Sequence, residues 1–355
     1  MYYKNERVEK IDRIFDQESR EGYLRLDLNE NPGGLPSEFI QEVLSDVTPE
    51  FLSSYPETLE FKETLAKFLG AKTDNICLVN GSSEGIRNIM EAFTSPQGKI
   101  VGVTPSYAMF EVYAEMYGRE FIPVHYTDDL QMPINAIIDK LKPDVELLIL
   151  VNPNNPIGNT YTDEEIRYIL DVAQRNEITV LIDEAYFYFY SNTCIEYALN
   201  RKHVFVTRTF SKLFSLAGCR LGYVIGWTDG IKLVQNLCTS RNVNAFGMKF
   251  AKAIIEKEGM LDNMIKIQRE GKQYLIKTLI ENGYEYSAKE GNFVFIKPKT
   301  DAEVIRKRMK REKKILVKTY FGIWGGESCL RVTTGEKKYM MQFVKALIEL
   351  DNKMI

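Results

Sequence analysis

Between about residues 56 and 230, short apolar runs alternate with stretches of helical periodicity, and this alternation limits the possible folds more than any other feature of the chain. The strand candidates are KIVGV (99–103), ELLILVN (146–152), TVLID (179–183), HVFVTR (203–208) and LGYVIG (221–226). A strand that is apolar on consecutive positions must be covered on both faces, and the intervening helical segments supply that cover. The pattern predicts an α/β fold with a mostly parallel sheet wrapped by helices. Ligands of such sheets lie at the carboxyl ends of the strands, so the polar residues that follow each run are where chemistry is sought.

After residue 240 the pattern changes to long amphipathic helices through about Ile280, followed by strand candidates NFVFIK (292–297), KILVK (314–318) and CLRVT (329–333). This predicts a smaller α+β domain. Residues 1 to about 45 fit no strand of the sheet and are expected to fold back on the C-terminal part. The division reads as a large domain over 46–240 and a small one made of 1–45 with 241–355, a size of 355 residues being natural for two domains. A site at the seam between them is expected.

Charge and composition remove several function classes. A net charge of −3 favours neither nucleic acid nor an anionic membrane. The basic run RKRMKREKK (306–314) reads as the solvated face of one helix. The strongest apolar run, Val145 to Val151, is too short to span a bilayer, and the start MYYKNERVEKIDRIF has no apolar core, so a cytoplasmic protein is expected. Five scattered cysteines without a CxxC pair suggest neither a disulfide framework nor a thiolate metal site. With only two histidines, His125 and His203, no metal site is expected and acid–base work falls to lysine, carboxylate or tyrosine.

Four segments carry candidate chemistry. In RTFSKLFSLAGCRLGY (208–223), Ser211, Lys212 and Arg220 follow an apolar strand. A lysine amine forms an imine with an aldehyde, and an aldehyde cofactor carrying phosphate needs a hydroxyl and a fixed cation nearby. Read alone, Lys212 is more often a surface charge, and Arg220 fits an ordinary ion pair. In TVLIDEAYFYF, Asp183 ends a strand and Tyr186 follows three positions later. An aspartate there either caps the next helix or pairs a protonated pyridine nitrogen, which lets the ring accept electrons from a substrate carbanion. Tyr186 is placed to bond the same ring's phenolic oxygen. In LVNPNNPIGN (150–159), Pro and Gly force a turn in which Asn155 presents an amide at the strand end. In VNGSSEGIRNIM (79–90), Gly81, Ser82 and Ser83 open a helix whose free amides suit phosphate, although a serine there is also an ordinary N-cap.

Taken together and in this order, LDLNENP, SYPE, NPNNPIG, DEAY, RTFSK and LAGCRLG resemble the fold-type I aminotransferases, most closely the histidinol-phosphate aminotransferase branch, from about Leu26 to Gly335. The resemblance implies pyridoxal 5'-phosphate as cofactor and a mostly parallel seven-stranded sheet. By motif it implies Lys212 as the Schiff-base lysine and proton shuttle, Asp183 on the pyridine nitrogen, and Asn155 with Tyr186 on the phenolic oxygen. Ser82, Ser83, Ser211 and Arg220 would meet the phosphate. Tyr107, in TPSYAMF, would stack on the ring, and Tyr55, in SYPE, would reach the phosphate of a neighbouring subunit, which makes a homodimer the expected unit. Arg331, in CLRVTTG, would grip a substrate carboxylate, and Asn29 lies in the stretch that covers the substrate.

Two departures bear on the substrate. Lys318 stands where the family usually has arginine, and no tyrosine occurs near residues 10–16, where histidinol-phosphate enzymes carry one. Arg241, in TSRNVNAF, is a candidate for taking over a phosphate or second carboxylate. The expected reaction is transamination between a small amino donor, by default glutamate, and a keto acceptor. The competing reactions are decarboxylation by an enzyme resembling threonine-phosphate decarboxylase, and a regulator that keeps the fold without turnover. Regulators of that kind add a DNA-binding helical domain for which this chain has no extra region.

Overall fold

The computed structural model of the chain describes residue 2 and residues 4–11, 18–324 and 327–352. The expected gap in the tyrosine pattern near residues 10–16 falls largely outside these. The apolar runs form strands β1 (Ile76–Val79), β2 (Lys99–Thr104), β3 (Glu120–His125), β4 (Val145–Val151), β5 (Thr179–Asp183), β6 (Val204–Thr209) and β7 (Gly222–Gly226). They make one seven-stranded sheet in the order β1-β7-β6-β5-β4-β2-β3. β7 runs antiparallel to both neighbours and every other pairing seen is parallel, so six strands end on the same edge.

Each strand shares its side chains between two cores, which is why the runs are apolar throughout. Leu148, Leu150, Val180, Ile182, Val204 and Val206 pack on one face; Leu147, Ile149, Val151, Leu181 and Phe205 pack on the other. Helix α1 (Ser82–Phe93) covers the second face with Ile86, Ile89 and Met90. Its Gly85 lies so close to β7 that a Cβ would stand 2.6 Å from a Val224 methyl. Helix α2 (Asp163–Arg175) covers the first face with Ile166, Ile169 and Leu170, and starts in a capping box between Thr162 and Glu165. β3 was not among the expected strands; its exposed Glu120, Pro123 and His125 make it an edge strand without a continuous apolar run.

The second core is built on a four-stranded antiparallel sheet of β8 (Glu285–Ser287), β9 (Phe293–Lys297), β10 (Lys318–Trp324) and β11 (Glu327–Thr333), in the order β10-β11-β9-β8. The helices that pack in this core include α4 (Met260–Glu281, after α3 at Ala245–Glu256), the helix over Ala302–Arg308 and α5 (Lys337–Asn352). The expected boundaries at 45 and 240 part from this packing. Phe39 and Val43 pack in the large-sheet core, as do Val243, Met248, Ala251 and Ile254, whereas Leu26 and the residues from Leu275 onward form the second core. The N-terminal segment does fold back on the C-terminal part: Leu24 and Arg25 pair in parallel with Ile315 and Leu316. The basic run 306–314 is a helical surface whose charges are matched, Arg306 to Glu303, Arg308 to Glu312, Lys310 to Glu18 and Lys313 to Glu349. Among the described residues no helix is long and apolar enough to cross a membrane.

One buried ion pair ties β6 to the segment after β5. Arg208 donates through Nε and Nη2 to Glu184 Oε2, at 2.9 and 2.7 Å, and its guanidinium carbon lies 3.6 Å from the Phe187 ring centre. The Glu184 side chain is fully buried and that of Arg208 nearly so, and Glu184 also accepts from Cys194 N and Thr193 Oγ1. Removing one partner of such a pair strands the other charge. Glu184→Ala is therefore expected to lower the unfolding free energy by about 3–5 kcal/mol in urea denaturation. A loss below about 1 kcal/mol would mean that the aromatic rings alone satisfy Arg208.

Candidate active site

The aligned strand ends collect the predicted residues at one edge of the large sheet. Asp183 is the last residue of β5, Asn155 follows β4, Tyr107 follows β2, Gly81 to Ser83 follow β1, and Ser211 with Lys212 follow β6. Arg331 arrives from β11 of the small sheet, and Leu26 to Asn31 lie across the seam.

Lys212 is half-buried, and its amine donates to the Leu28 carbonyl at 3.1 Å and lies 5.7 Å from the centre of the Tyr186 ring. Desolvation draws its pKa down to about 8, and the nearby Arg331 charge adds to the shift. Asp183 is 4% exposed. Its Oδ1 accepts from Ala185 N at 3.1 Å and from Thr207 Oγ1 at 3.2 Å, which leaves Oδ2 without a hydrogen bond among the described residues. Burial pushes this carboxyl up to about 6. Tyr186 is buried, its phenol is pushed up to about 12 by desolvation, and its oxygen accepts from Asn29 Nδ2 at 2.8 Å.

Arg331 is 4% exposed and has no carboxylate partner among the described residues. Nη1 donates to Asn155 Oδ1 at 2.9 Å and to Tyr320 Oη at 3.2 Å, Nη2 donates to the Asp27 carbonyl at 2.7 Å, and Nε is buried without a partner. The contact with Arg331 also orients Asn155: its oxygen is taken by the guanidinium, so its NH2 group is the end left to donate elsewhere.

A second cluster lies at the start of α1. Gly81 is the N-cap, with φ of 73°, and neither serine caps the helix. The Ser82 and Ser83 amides have no backbone acceptor among the described residues. A Cβ on Gly81 would stand 2.8 Å from Arg220 Nη2, so the glycine is what lets the guanidinium lie against the helix start. Arg220 Nη1 and Thr209 Oγ1 both donate to Ser211 Oγ, at 3.3 and 2.9 Å, which turns the Ser211 proton outward. Ser83 Oγ is 3.2 Å from Tyr107 Oη.

Asn29 is buried at the seam, whereas Tyr55 and Arg241 lie on the surface. Asn29 turns its amide to Tyr186. Tyr55 is 80% exposed, outside this cluster. Arg241, expected near a substrate, is exposed beside Tyr55 and donates to the Pro56 carbonyl at 3.2 Å; it lies in the loop between the helix over Thr228–Asn236 and α3. Sequence reasoning missed Thr207, Thr209 and Tyr320. The two threonines are polar positions near the carboxyl end of β6, a signal legible in the sequence. The Tyr320 contact with Arg331 joins neighbouring strands and had no local mark.

The model of the family described as aminotransferase class I and II matches residues 21–347. The chain belongs to this family. It is 31% identical over 332 residues, 92% of each chain, to histidinol-phosphate aminotransferase of Thermoanaerobacter pseudethanolicus. Histidinol-phosphate aminotransferase of Sinorhizobium meliloti, solved in complex with pyridoxal-5'-phosphate, superposes with a TM-score of 0.83 at 21% identity, covering 93% of this chain and 91% of that one. L-threonine-O-3-phosphate decarboxylase of Porphyromonas gingivalis superposes with a TM-score of 0.76 at 23% identity, over 92% and 99%. Identities this low speak to the fold alone. As an aminotransferase the chain needs a group that accepts an amine, and its own features fit pyridoxal phosphate: an amine near neutrality, a carboxylate oxygen without a partner, and a helix start flanked by Arg220 and Ser211.

The burial of Asp183 has a measurable pH signature. Its carboxyl titrates at about 6 when folded and near its ordinary 3.8 when unfolded, so between these values the folded chain holds more protons and stability falls as pH rises. Above about pH 6 the whole penalty stands, roughly 3 kcal/mol at about 1.36 kcal/mol per unit. Asp183→Asn keeps the bonds to Ala185 and Thr207 and removes the charge. It is expected to stabilise the cofactor-free chain at pH 8 by up to about 3 kcal/mol in chemical denaturation, with the gain vanishing towards pH 4. An equal gain at both pH values would show that the carboxylate charge is not the cause.

Proposed function

We propose that the protein is a pyridoxal-phosphate-dependent aminotransferase acting on an amino phosphate such as histidinol phosphate, with glutamate and 2-oxoglutarate as the exchanging pair. One observation carries this reading: the Lys212 amine, depressed to about 8, shares a desolvated seam with Arg331, a buried guanidinium without a carboxylate partner among the described residues. When bound, the cofactor supplies an aldehyde for amines and a protonated ring that draws electrons from the carbon bearing the substrate's amino group.

The chain's own residues supply everything else. Asp183 Oδ2 would hold the ring nitrogen's proton, and the Asn155 NH2 and the Tyr186 hydroxyl would donate to the phenolic oxygen. Ser82, Ser83, Ser211 and Arg220 would hold the phosphate at the start of α1, where amides and the helix dipole favour an anion. Tyr107 would lie against the ring. Lys212, with an amine lowered to about 8, would bind the aldehyde and hold or move a proton at Nζ. Arg331 is a fork that takes a carboxylate or a phosphate through two parallel bonds, which suits one site that must accept glutamate and an amino phosphate in turn. Lys318, paired with Arg331 across the β10–β11 ladder, is a second cation for that end of the substrate.

A homodimer is part of the proposal. Leu52, Tyr55 and Leu59 are exposed at 64%, 80% and 63%, an apolar surface suited to a second copy, and the Arg241 bond to Pro56 steadies the loop that presents Tyr55. We place the enzyme in the cytoplasm, in keeping with five free cysteines.

Reconstituted protein is expected to show a visible band near about 410–430 nm that moves to about 330 nm with glutamate, and Lys212→Ala to lack it. A lysine-dependent band that glutamate leaves in place would sink amino transfer and favour decarboxylation. Arg331→Ala is expected to reduce kcat/KM for glutamate by about 10- to 150-fold while leaving the band intact, since truncating a charged hydrogen-bonding partner costs about 1.5–3 kcal/mol. A reduction below about fivefold would place carboxylate recognition elsewhere. Light scattering should give twice the chain mass, and a monomer with full activity would remove Tyr55 from the site.

A further inference from the structure

Asn29 has an unusual set of partners for a residue in a covering segment. It is 1% exposed, adopts a left-handed φ of 59°, and spends every polar group on the protein. Its backbone N–H donates to Thr333 Oγ1 at 3.0 Å, the Thr333 hydroxyl donates to Asn29 Oδ1 at 3.3 Å, and Asn29 Nδ2 donates to Tyr186 Oη at 2.8 Å. Its carbonyl accepts from Asn292 Nδ2 at 3.1 Å.

These bonds form a chain of donation with a fixed direction. Thr333 is fully buried, and its hydroxyl proton has Asn29 Oδ1 as its acceptor. With the amide flipped, that proton would lose its acceptor, so the NH2 group is the end that faces Tyr186. A phenol has one proton. Because Tyr186 accepts from Asn29, that proton is left for whatever lies on the other side of the oxygen.

We propose that Asn29 is a positioning residue that aims the Tyr186 proton at the phenolic oxygen of the cofactor and does not itself contact substrate. This rests on the cofactor placement proposed above. The left-handed backbone belongs to the same device: asparagine tolerates it, and this conformation turns the amide back over Tyr186 while the main chain continues across the seam. A proton donated there would stabilise negative charge on the ring oxygen and so would lower the pH of the loaded protein's visible transition.

The test is a spectrophotometric pH titration of the loaded protein, read as the midpoint of the visible transition. Tyr186→Phe should raise the midpoint by about one to two units, the size expected for a lost hydrogen bond to a charged oxygen. Asn29→Asp keeps the shape and the left-handed backbone but can only accept, so the Tyr186 proton turns to it and the midpoint should rise by about one unit or more. Asn29→Gly, which removes the donor without adding charge, should raise it by less. Neither Asn29 change should move the midpoint further in a Tyr186→Phe background. Equal shifts in both backgrounds would mean that the added carboxylate charge or a general disturbance is responsible, and an unshifted midpoint for both variants would leave Asn29 a structural residue; either outcome overturns the proposal. If Tyr186→Phe itself left the midpoint unmoved, the cofactor placement would fail instead. Thermal melts of the variants identify any that do not fold, and the two Asn29 substitutions differ enough in shape and charge that one folded variant suffices.

Discussion

Arg331 carries a positive charge, buried at 4% exposure, that no carboxylate among the described residues neutralises, and much of the site follows from this. Burying an unpaired guanidinium costs several kcal/mol unless neutral acceptors spread the charge. Asn155 Oδ1, Tyr320 Oη and the Asp27 carbonyl do so, and Nε is left over. The same charge disfavours protonation of Lys212, which adds to desolvation in bringing that amine to about 8. A cation that lacks an anion thus keeps a neighbouring nucleophile partly uncharged, and an arriving carboxylate or phosphate would relieve the first strain while easing protonation of the second. Binding of an anionic substrate and proton transfer by Lys212 are therefore linked through one guanidinium.

The sheet decides which of two adjacent carboxylates takes part. Asp183 and Glu184 are consecutive, so their side chains leave the strand in opposite directions. Glu184 meets Arg208, Thr193 and the Cys194 amide, and its charge is fully engaged. Among the described residues Asp183 meets one hydroxyl and one amide, both at Oδ1. Exchanging those environments would give a well-paired Asp183 with nothing to offer a ligand. The buried Glu184–Arg208 pair also joins the ends of β5 and β6, and so sets the distance between Asp183 and the Ser211–Lys212 turn.

Most of the large sheet was legible because parallel strands covered on both faces leave continuous apolar runs, and the runs ended within a residue or two of the observed strands. Lys212, Asp183 and Asn155 could be singled out for the same reason, since polar residues directly after such runs can only lie at the carboxyl edge. What stayed hidden depended on contacts distant in sequence. The edge strand β3 lacks an apolar run. Phe39 and the α3 residues carry a periodicity that fits either core, so the domain boundary could not be drawn from pattern alone. Arg241 was judged by charge and neighbouring residues, whereas its place depends on Pro56, 185 positions away. The Asn29–Tyr186 bond spans 157 positions and has no local trace.

The segment Leu26 to Asn31 belongs to neither half of the molecule alone. Leu26 is packed in the small core, its carbonyl accepts from Thr333 N at 2.8 Å, and the preceding Leu24 and Arg25 pair with Ile315 and Leu316. Two residues on, the Leu28 carbonyl takes the Lys212 amine; then Asn29 takes Tyr186, and Asn31 Nδ2 donates to Ser215 Oγ at 2.7 Å, all on the large domain. Two peptide units beyond its anchor, a chain has little slack. A rotation of the small domain therefore cannot be absorbed within the segment, and it must lengthen the bonds to Lys212 and Tyr186. Because Arg331 travels with the small domain, the group that senses a substrate anion and the groups that set the protonation of the lysine and the phenol move as one mechanical unit.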